Sequence, residues 1–398
     1  MTPFQLAWRT TKRYRLRAML AIAGVTVIGA LLFDMLLLSD GLLTSFADLL
    51  TAEGFEIRVV MHEGLSRVPI PGAPAIAASI AAFAEVDDVA QIRMEPGSAC
   101  VAGKQPARVT IVGRTQSRPG PWRLLSGDNV PARAPDGGCP IVIGKPLANA
   151  LDLRPGSPVT LTARPAAATV IPPLPCRVSG VVDFGFNAVN ELTAAMPMNA
   201  FERLMGEDHP GDAELILVAL RPGADVPTVQ HEISTLRSDL RVYSTEDVVA
   251  QFNRNAFAYF RQISAVLSFL TTTFAFLLIA TLLTVSVNHR LGEIAALRAL
   301  GIARRRIAAM LLWESALLVG VGAVLALPVG GVLAIGLDHI LRQMPGLPER
   351  LHFFVFETRA LVIHFVVFLV TATAAAAYPI WLSATLPIAP TLRREVVG

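Results

Sequence analysis

Charge is scarce in this chain. Only 16% of its 398 residues are Asp, Glu, Lys or Arg, against about 25% in soluble proteins. Hydrophobic residues make up 53%, and mean hydropathy is +0.53. That balance belongs to a membrane protein. Motifs for chemistry are missing too. No G-x-x-x-x-G-K-S/T phosphate loop is present, so the chain carries no ATPase motif of its own. The seven histidines (His62, His209, His231, His289, His339, His352, His364) are scattered, with no H-E-x-x-H. No C-x-x-C occurs, so metal or redox catalysis lacks a constellation. No G-x-S-x-G supports a serine nucleophile. The chain reads as a non-enzyme with no metal or cofactor of its own. Cysteine is sparse: Cys100, Cys139 and Cys176 all fall in one long non-spanning segment. An oxidising compartment permits one disulfide there, with the pair left open; the alternative is three small buried residues without a bridge.

Four apolar runs are long enough to cross a bilayer, which takes about 20 residues. They cover 18–38, 263–287, 307–337 and 360–380. The segments between and around them divide the charge unevenly. Arg9, Lys12, Arg13, Arg15 and Arg17 precede the first run, five arginines lie between the second and third, and Arg393 and Arg394 follow the fourth. Against them stand only Glu293 and Glu395. Basic short loops stay cytoplasmic, so both termini and the 288–306 loop are expected inside. The pI of about 9.0 thus reports topology rather than nucleic-acid binding.

Residues 1–17 carry Phe4 and Trp8 at helical spacing among basic residues, the pattern of an interfacial elbow. The run at 18–38 is expected to be an uncleaved anchor, because L-L-L-S-D-G-L-L follows it where a signal peptide would have a small-x-small site. Asp34 falls near the outer interface by its rise from Arg17, and Glu314 lies near the inner end of the third crossing. Both are membrane-embedded acidic candidates, Asp34 being expected to sit at the interface and Glu314 to line a pathway or pair with an arginine such as Arg305. His364 is expected to face headgroups near the outer end of the fourth crossing. Gly320, Gly322, Gly330 and Gly331 would let the third crossing pack closely on a neighbour, and Pro328 should kink it.

From 39 to 247 short apolar runs are punctuated by Gly, Pro and polar residues, and none is long enough to span. Expected strands are Glu56–Val60, Arg108–Val112, Pro140–Ile143, Val159–Thr162, Cys176–Val182 and Leu215–Leu220. Helices are expected over Ala75–Phe83, Pro146–Ala150, Ala200–Met205 and Val226–Arg237, giving an α+β domain. Val248, Phe252, Ala256 and Phe260 share a helical face, so 248–287 reads as a stalk leading into the second crossing. A short outer loop, 338–359, and a tail, 381–398, complete the division.

The loop V-N-H-R-L-G-E-I-A-A-L-R-A-L-G-I-A-R-R-R-I sits between the second and third crossings. Ile294, Leu297 and Leu300 form its apolar face, with Gly301 at the position of a helix C′ residue. Together with L-L-W-E-S-A-L-L-V-G-V-G it resembles the signature of the FtsX-like permease family of ABC transport systems. The closing Y-P-I-W-L-S-A-T-L-P-I-A-P-T-L-R-R-E is similar to that family's tail. The segments Val109–Arg114, Val142–Ala148, Leu151–Gly156, Val178–Val182 and Ala195–Asn199 resemble the MacB-like periplasmic core domain.

The resemblance implies an integral membrane α-helical fold with four transmembrane helices and an inserted α+β extracytoplasmic domain of MacB-like type. In it the strands near Glu56 and Val109 would pair with that near Leu215, and about 113–205 would form a β-rich insertion. The inner loop would be a coupling helix, with Arg290, Glu293, Ile294, Leu297, Arg298, Ala299, Leu300 and Gly301 engaging a separate ABC ATPase subunit that binds ATP and Mg²⁺. Further implied partners are a second permease copy or paralogue in a dimer, a periplasmic adaptor or lipoprotein, and membrane lipids, in a bacterial inner membrane. The implied function is export or extraction of lipid, lipoprotein or peptide by mechanotransmission. The alternative is a transmembrane transducer that activates an extracytoplasmic hydrolase.

Overall fold

The computed structural model describes residues 3–13, 15–61, 68–115, 120, 122–163, 172–185, 187–188, 190–206, 211–255, 258–288, 292, 294, 296, 298, 301–343 and 350–385. The apolar runs form its four longest helices, Arg15–Ala52, Ala258–Asn288, Arg304–Leu341 and Thr358–Thr385. Each contains a stretch long and apolar enough to cross a membrane. They belong to a unit made of Met1–Leu43, Ala256–Ile340 and His352–Gly398, while Thr44–Asn255 with Leu341–Leu351 form a second unit.

The first long helix does not stop near Leu38. It continues through Gly41 to Ala52, since no proline interrupts it. A side chain at Gly41 would meet the backbone of Phe353 and Val355 at 2.8 and 2.6 Å, so glycine here admits the outer loop against the helix. A short basic helix, Pro3–Arg13, precedes it, and its Phe4 ring meets Trp313 edge-on at 5.4 Å. Val25, Leu32, Ile279, Leu283, Val319 and Phe368 draw all four long helices into one core.

Small residues set how closely the first and third long helices approach. A Cβ on Gly322 would lie 2.6 Å from Val25, and one on Gly29 would lie 2.7 Å from the Cβ of Ala326. Gly330 sits against Ala30 and Phe33. Gly320 departs from the packing role, since nothing stands within 4 Å of where its Cβ would be. Gly331 makes only ordinary contact with Phe356, at 3.6 Å. The third helix is continuous across Pro328.

Ten strands build the second unit: β1 Ile57–Val60, β2 Val86–Cys100, β3 Ala107–Arg114, β4 Trp122–Gly127, β5 Pro140–Gly144, β6 Pro158–Ala163, β7 Leu174–Phe184, β8 Thr193–Pro197, β9 Leu215–Leu220 and β10 Arg241–Ser244. Their order is β10-β1-β9-β2-β3-β8-β5-β7-β4, and β6 pairs with both β2 and β7. The pairings β2-β3-β8-β5-β7-β6-β2 therefore close a ring, a small barrel with no free edge. Its interior holds Ile111, Ile141, Ile143, Leu161 and Phe201. β4 adds to the ring by pairing with β7, while β10-β1-β9 and the first half of β2 form an open sheet covered by helices Ala73–Ala81 and Val226–Leu236 around a second core.

The expected pairing of the Val109 strand with the Leu215 strand is not what the chain adopts. β3 pairs with β2 and β8, and β9 lies between β1 and β2. The mediator is β2, fifteen residues long, which serves the open sheet and then the barrel. Where β3 and β6 flank it, a side chain at Gly97 would strike Ile111 and the carbonyl of Thr162, so glycine is required by the close approach. The β-rich part thus begins near Ala99 rather than Gly113. Cys139 and Cys176 are joined in a disulfide within it, and Cys100 remains a half-exposed thiol.

Candidate functional site

The loop between the second and third long helices is helical at Gly292, Ile294, Ala296 and Arg298 and turns at Gly301, where φ is +85° and the amide donates to the Arg298 carbonyl at 3.0 Å. Arg290, Glu293, Leu297, Ala299 and Leu300 lie outside the described residues. Ile294 is not a docking contact as expected. It is buried, 3% exposed, in a cluster with Val287, Ile307 and Leu311, so it anchors the loop to the inner ends of the second and third long helices. Ala296 is exposed on the other side.

The buried polar side chains of the long helices include Glu314, His364 and Asp34. Glu314 accepts a hydrogen bond from the Ser286 hydroxyl at 3.2 Å. His364 does not face headgroups. It is fully buried among Phe33, Phe365 and Phe368, with Nε2 3.2 Å from the Ala323 carbonyl. Asp34 is likewise buried rather than open to headgroups. It is 0% exposed, and among the described residues neither carboxylate oxygen has a hydrogen-bond partner. Both departures share a cause: rise along a helix gives depth but not rotation, and these side chains turn toward neighbouring helices. Replacing Asp34 with leucine should stabilise the membrane unit by about 1–3 kcal/mol, the cost of a buried polar group left without a hydrogen bond. A shift in the unfolding midpoint of the full chain in detergent would read this out. A lower midpoint would mean that the carboxylate is paired after all.

The second unit carries a joint at its entry and exit segments. Arg58 on β1 is 3% exposed. Its Nη2 donates to Glu53 Oε2 at 3.0 Å and toward the Leu50 carbonyl at 3.5 Å. Its Nη1 donates to the Phe55 carbonyl at 3.3 Å and to Thr245 Oγ1 at 3.1 Å. One guanidinium thus ties the end of the first long helix to the start of the helix Thr245–Asn255. The Thr245 amide donates to the Glu56 carbonyl at 2.9 Å, and Phe46 packs on Phe252 at 4.5 Å. Burial pushes the Glu53 carboxyl upward, and the charges of Arg58 and Arg114 oppose it. Burial pushes the Arg114 guanidinium down to about 10, against the pull of Glu53 and Asp88. Neither arginine was singled out by sequence motifs. The available signal was an arginine within the apolar strands E-I-R-V-V and T-I-V-G-R.

Two cavities accompany these sites. A groove of about 300 Å³ between the third and fourth long helices is apolar, lined by Val319, Gly320, Ala323, Phe365 and Phe368. A polar cleft of about 140 Å³ is lined by Arg123, Lys145, Asp183 and Asn187. Asp183 on its wall accepts from Arg350 Nε at 3.1 Å, which ties Arg350 to β7.

Four candidate spans together with an α+β domain built on a closed barrel define a membrane protein with most of its folded mass outside the spans. The MacB-like periplasmic core domain family matches residues 18–236, and the FtsX-like permease C-terminal family matches residues 265–388. The chain belongs to the MacB/FtsX-like family of ABC transporter permeases, a family that partners an ABC ATPase and is normally not itself catalytic. Similar solved structures include the periplasmic region of MacB from Actinobacillus actinomycetemcomitans, 13% identical with a TM-score of 0.41, covering 52% of this chain and 96% of that one. The extracellular domain of the noncanonic ABC-type transporter YknZ from Gram-positive bacteria is 15% identical with a TM-score of 0.36, covering 48% and 99%. A permease-protein domain from Porphyromonas gingivalis is 16% identical with a TM-score of 0.33, covering 48% and 89%. No curated protein matches the chain.

Proposed function

We propose that this chain is the permease subunit of an ABC system that turns ATP hydrolysis by a separate ATPase into movement of an extracytoplasmic domain, exporting or extracting lipid, lipoprotein or peptide. The observation that carries the reading is the Arg58 joint, which gathers the end of one long helix and the start of the segment leading to the next onto a single strand. A push delivered to either segment would reach β1 through short, buried hydrogen bonds. On this reading the inner loop is cytoplasmic and docks on the ATPase, with Ile294 holding its base and Ala296 on its outward side. The exposed apolar side chains of the second long helix, Ile263, Val266, Phe269 and Phe274, are available to lipid and to a second copy.

Glu293→Lys and Leu297→Asp are expected to uncouple the ATPase from transport at least ten-fold while leaving insertion intact. The measurement is ATPase co-purification and cargo-stimulated hydrolysis in proteoliposomes. Unchanged co-purification and coupling in both variants would remove the docking assignment. Stimulation by an extracytoplasmic hydrolase, with no response to lipid, lipoprotein or peptide cargo, would favour the transducer instead.

A further inference from the structure

Arg114, the last residue of β3, is 2% exposed, and among the described residues none of its three guanidinium nitrogens has a hydrogen-bond partner. Its guanidinium carbon lies 5.4 Å from the Phe55 ring centre and 5.7 Å from that of Trp122. Ring faces attract a cation but leave its N–H donors unused, and an unpaired buried charge is costly. The carboxylates whose charge reaches it are Glu53 and Asp88. Glu53 is held by Arg58 at 3.0 Å, while Arg114 also acts on it.

The two arginines share a face of the sheet. Ile57 and Val59 point into the helix-covered core, so Arg58 between them points the other way. Val112 packs with Phe55, Ala90 and Leu217 on that other face, and Arg114, two residues on, follows it. β1 and β3 are separated by β9 and β2, three strand spacings or about 14 Å. The Glu53 carboxylate is paired with the first of these arginines and feels the charge of the second. Glu53 comes directly after Ala52, where the first long helix ends.

We propose that Arg114 is a positioning residue: a vacant second seat for the Glu53 carboxylate, taken when the end of the first long helix moves over the sheet. The cause of that movement rests on the force-transmission reading; the existence of the seat does not. The transfer exchanges one charge-assisted hydrogen bond for another, so the carboxylate stays paired in both states. What changes is the tie between Arg58 and the helix end. Arg58 keeps Phe55 and Thr245, so β1 holds the outgoing segment while releasing the incoming one.

The test uses the full-length chain in nanodiscs with Trp122 as the sole tryptophan, after Trp8→Phe, Trp313→Phe and Trp381→Phe. Arg58→Met removes the first seat without any ATPase. It should shift Trp122 emission, because the carboxylate arrives at the guanidinium beside that ring. It should also raise the coupling between Glu53→Gln and Arg114→Met at least ten-fold in the unfolding equilibrium constant, relative to the Arg58 background. An unshifted emission with unchanged coupling would overturn the proposal. Should Arg58→Met fail to fold, Arg58→Lys keeps a charge but not the fork, and it should show the same changes at smaller amplitude. With a partner ATPase and a non-hydrolysable ATP analogue, the Arg58 protein should show the same emission shift and Arg114→Met should not. A positive first arm with no nucleotide response would count against the proposed function and leave the seat standing.

Discussion

Arg58→Met should destabilise the extracytoplasmic domain by about 3–5 kcal/mol, the cost of breaking a buried ion pair from one side. The guanidinium serves four acceptors, and methionine keeps the apolar stem but none of the donors. Arg114 offers Glu53 another partner, so the loss should fall near the lower end alone and near the upper end when Arg114→Met is added. Adding Glu53→Gln should recover part of the loss, since it removes the charge left behind. Hydrogen exchange would locate the effect, with faster exchange at β1 and the helix Thr245–Asn255 and little change in the barrel. A single variant as stable as the parent would show that the joint is a surface contact rather than the tie described.

The spans were legible because each is a long apolar run bounded by charge or by turn residues. The strands that were read correctly share β-branched alternation, as in Leu215–Leu220, which matches β9 at both ends. β2 was not legible, because V-D-D-V-A-Q-I-R-M-E-P-G-S-A-C carries two aspartates, a proline and a glycine. Local propensity argues against a strand there, and pairing on both edges overrides it. Missing β2 also hid the barrel, since β2 is the strand that β6 needs to close the ring. The motif between the second and third crossings carries the family resemblance but does not tell which side of the loop is free. The docking role of Ile294 is implied by the family resemblance alone, since helical periodicity shows an apolar face without showing what that face packs against. The joint escaped because no motif encodes it. Glu53, Arg58, Arg114 and Thr245 are brought together only by the sheet.

Removing the bridge with Cys139→Ala and Cys176→Ala should lower the stability of the barrel by about 4 kcal/mol, since closing a loop of some 37 residues in the unfolded chain accounts for roughly that much. The enclosed segment holds β5, the helix Lys145–Leu151 and β6, so two of the six strands of the ring lie wholly within it. Hydrogen exchange should rise across β5, β6 and β7, while β1, β9 and the helices covering them keep their protection, because they surround a separate core. Cys100 should not rescue a single Cys139→Ala change. It stands opposite Thr160 and Cys176 stands opposite Val159, adjacent positions on β6. Neighbouring residues of a strand point to opposite faces, so these two thiols lie on different sides of the sheet. Thiol titration of folded Cys139→Ala should therefore find Cys100 and Cys176 both reduced. A Cys100–Cys176 bridge would mean that β6 leaves its place between β2 and β7, since the two cysteines are otherwise about 9.5 Å apart across it, too far for a disulfide.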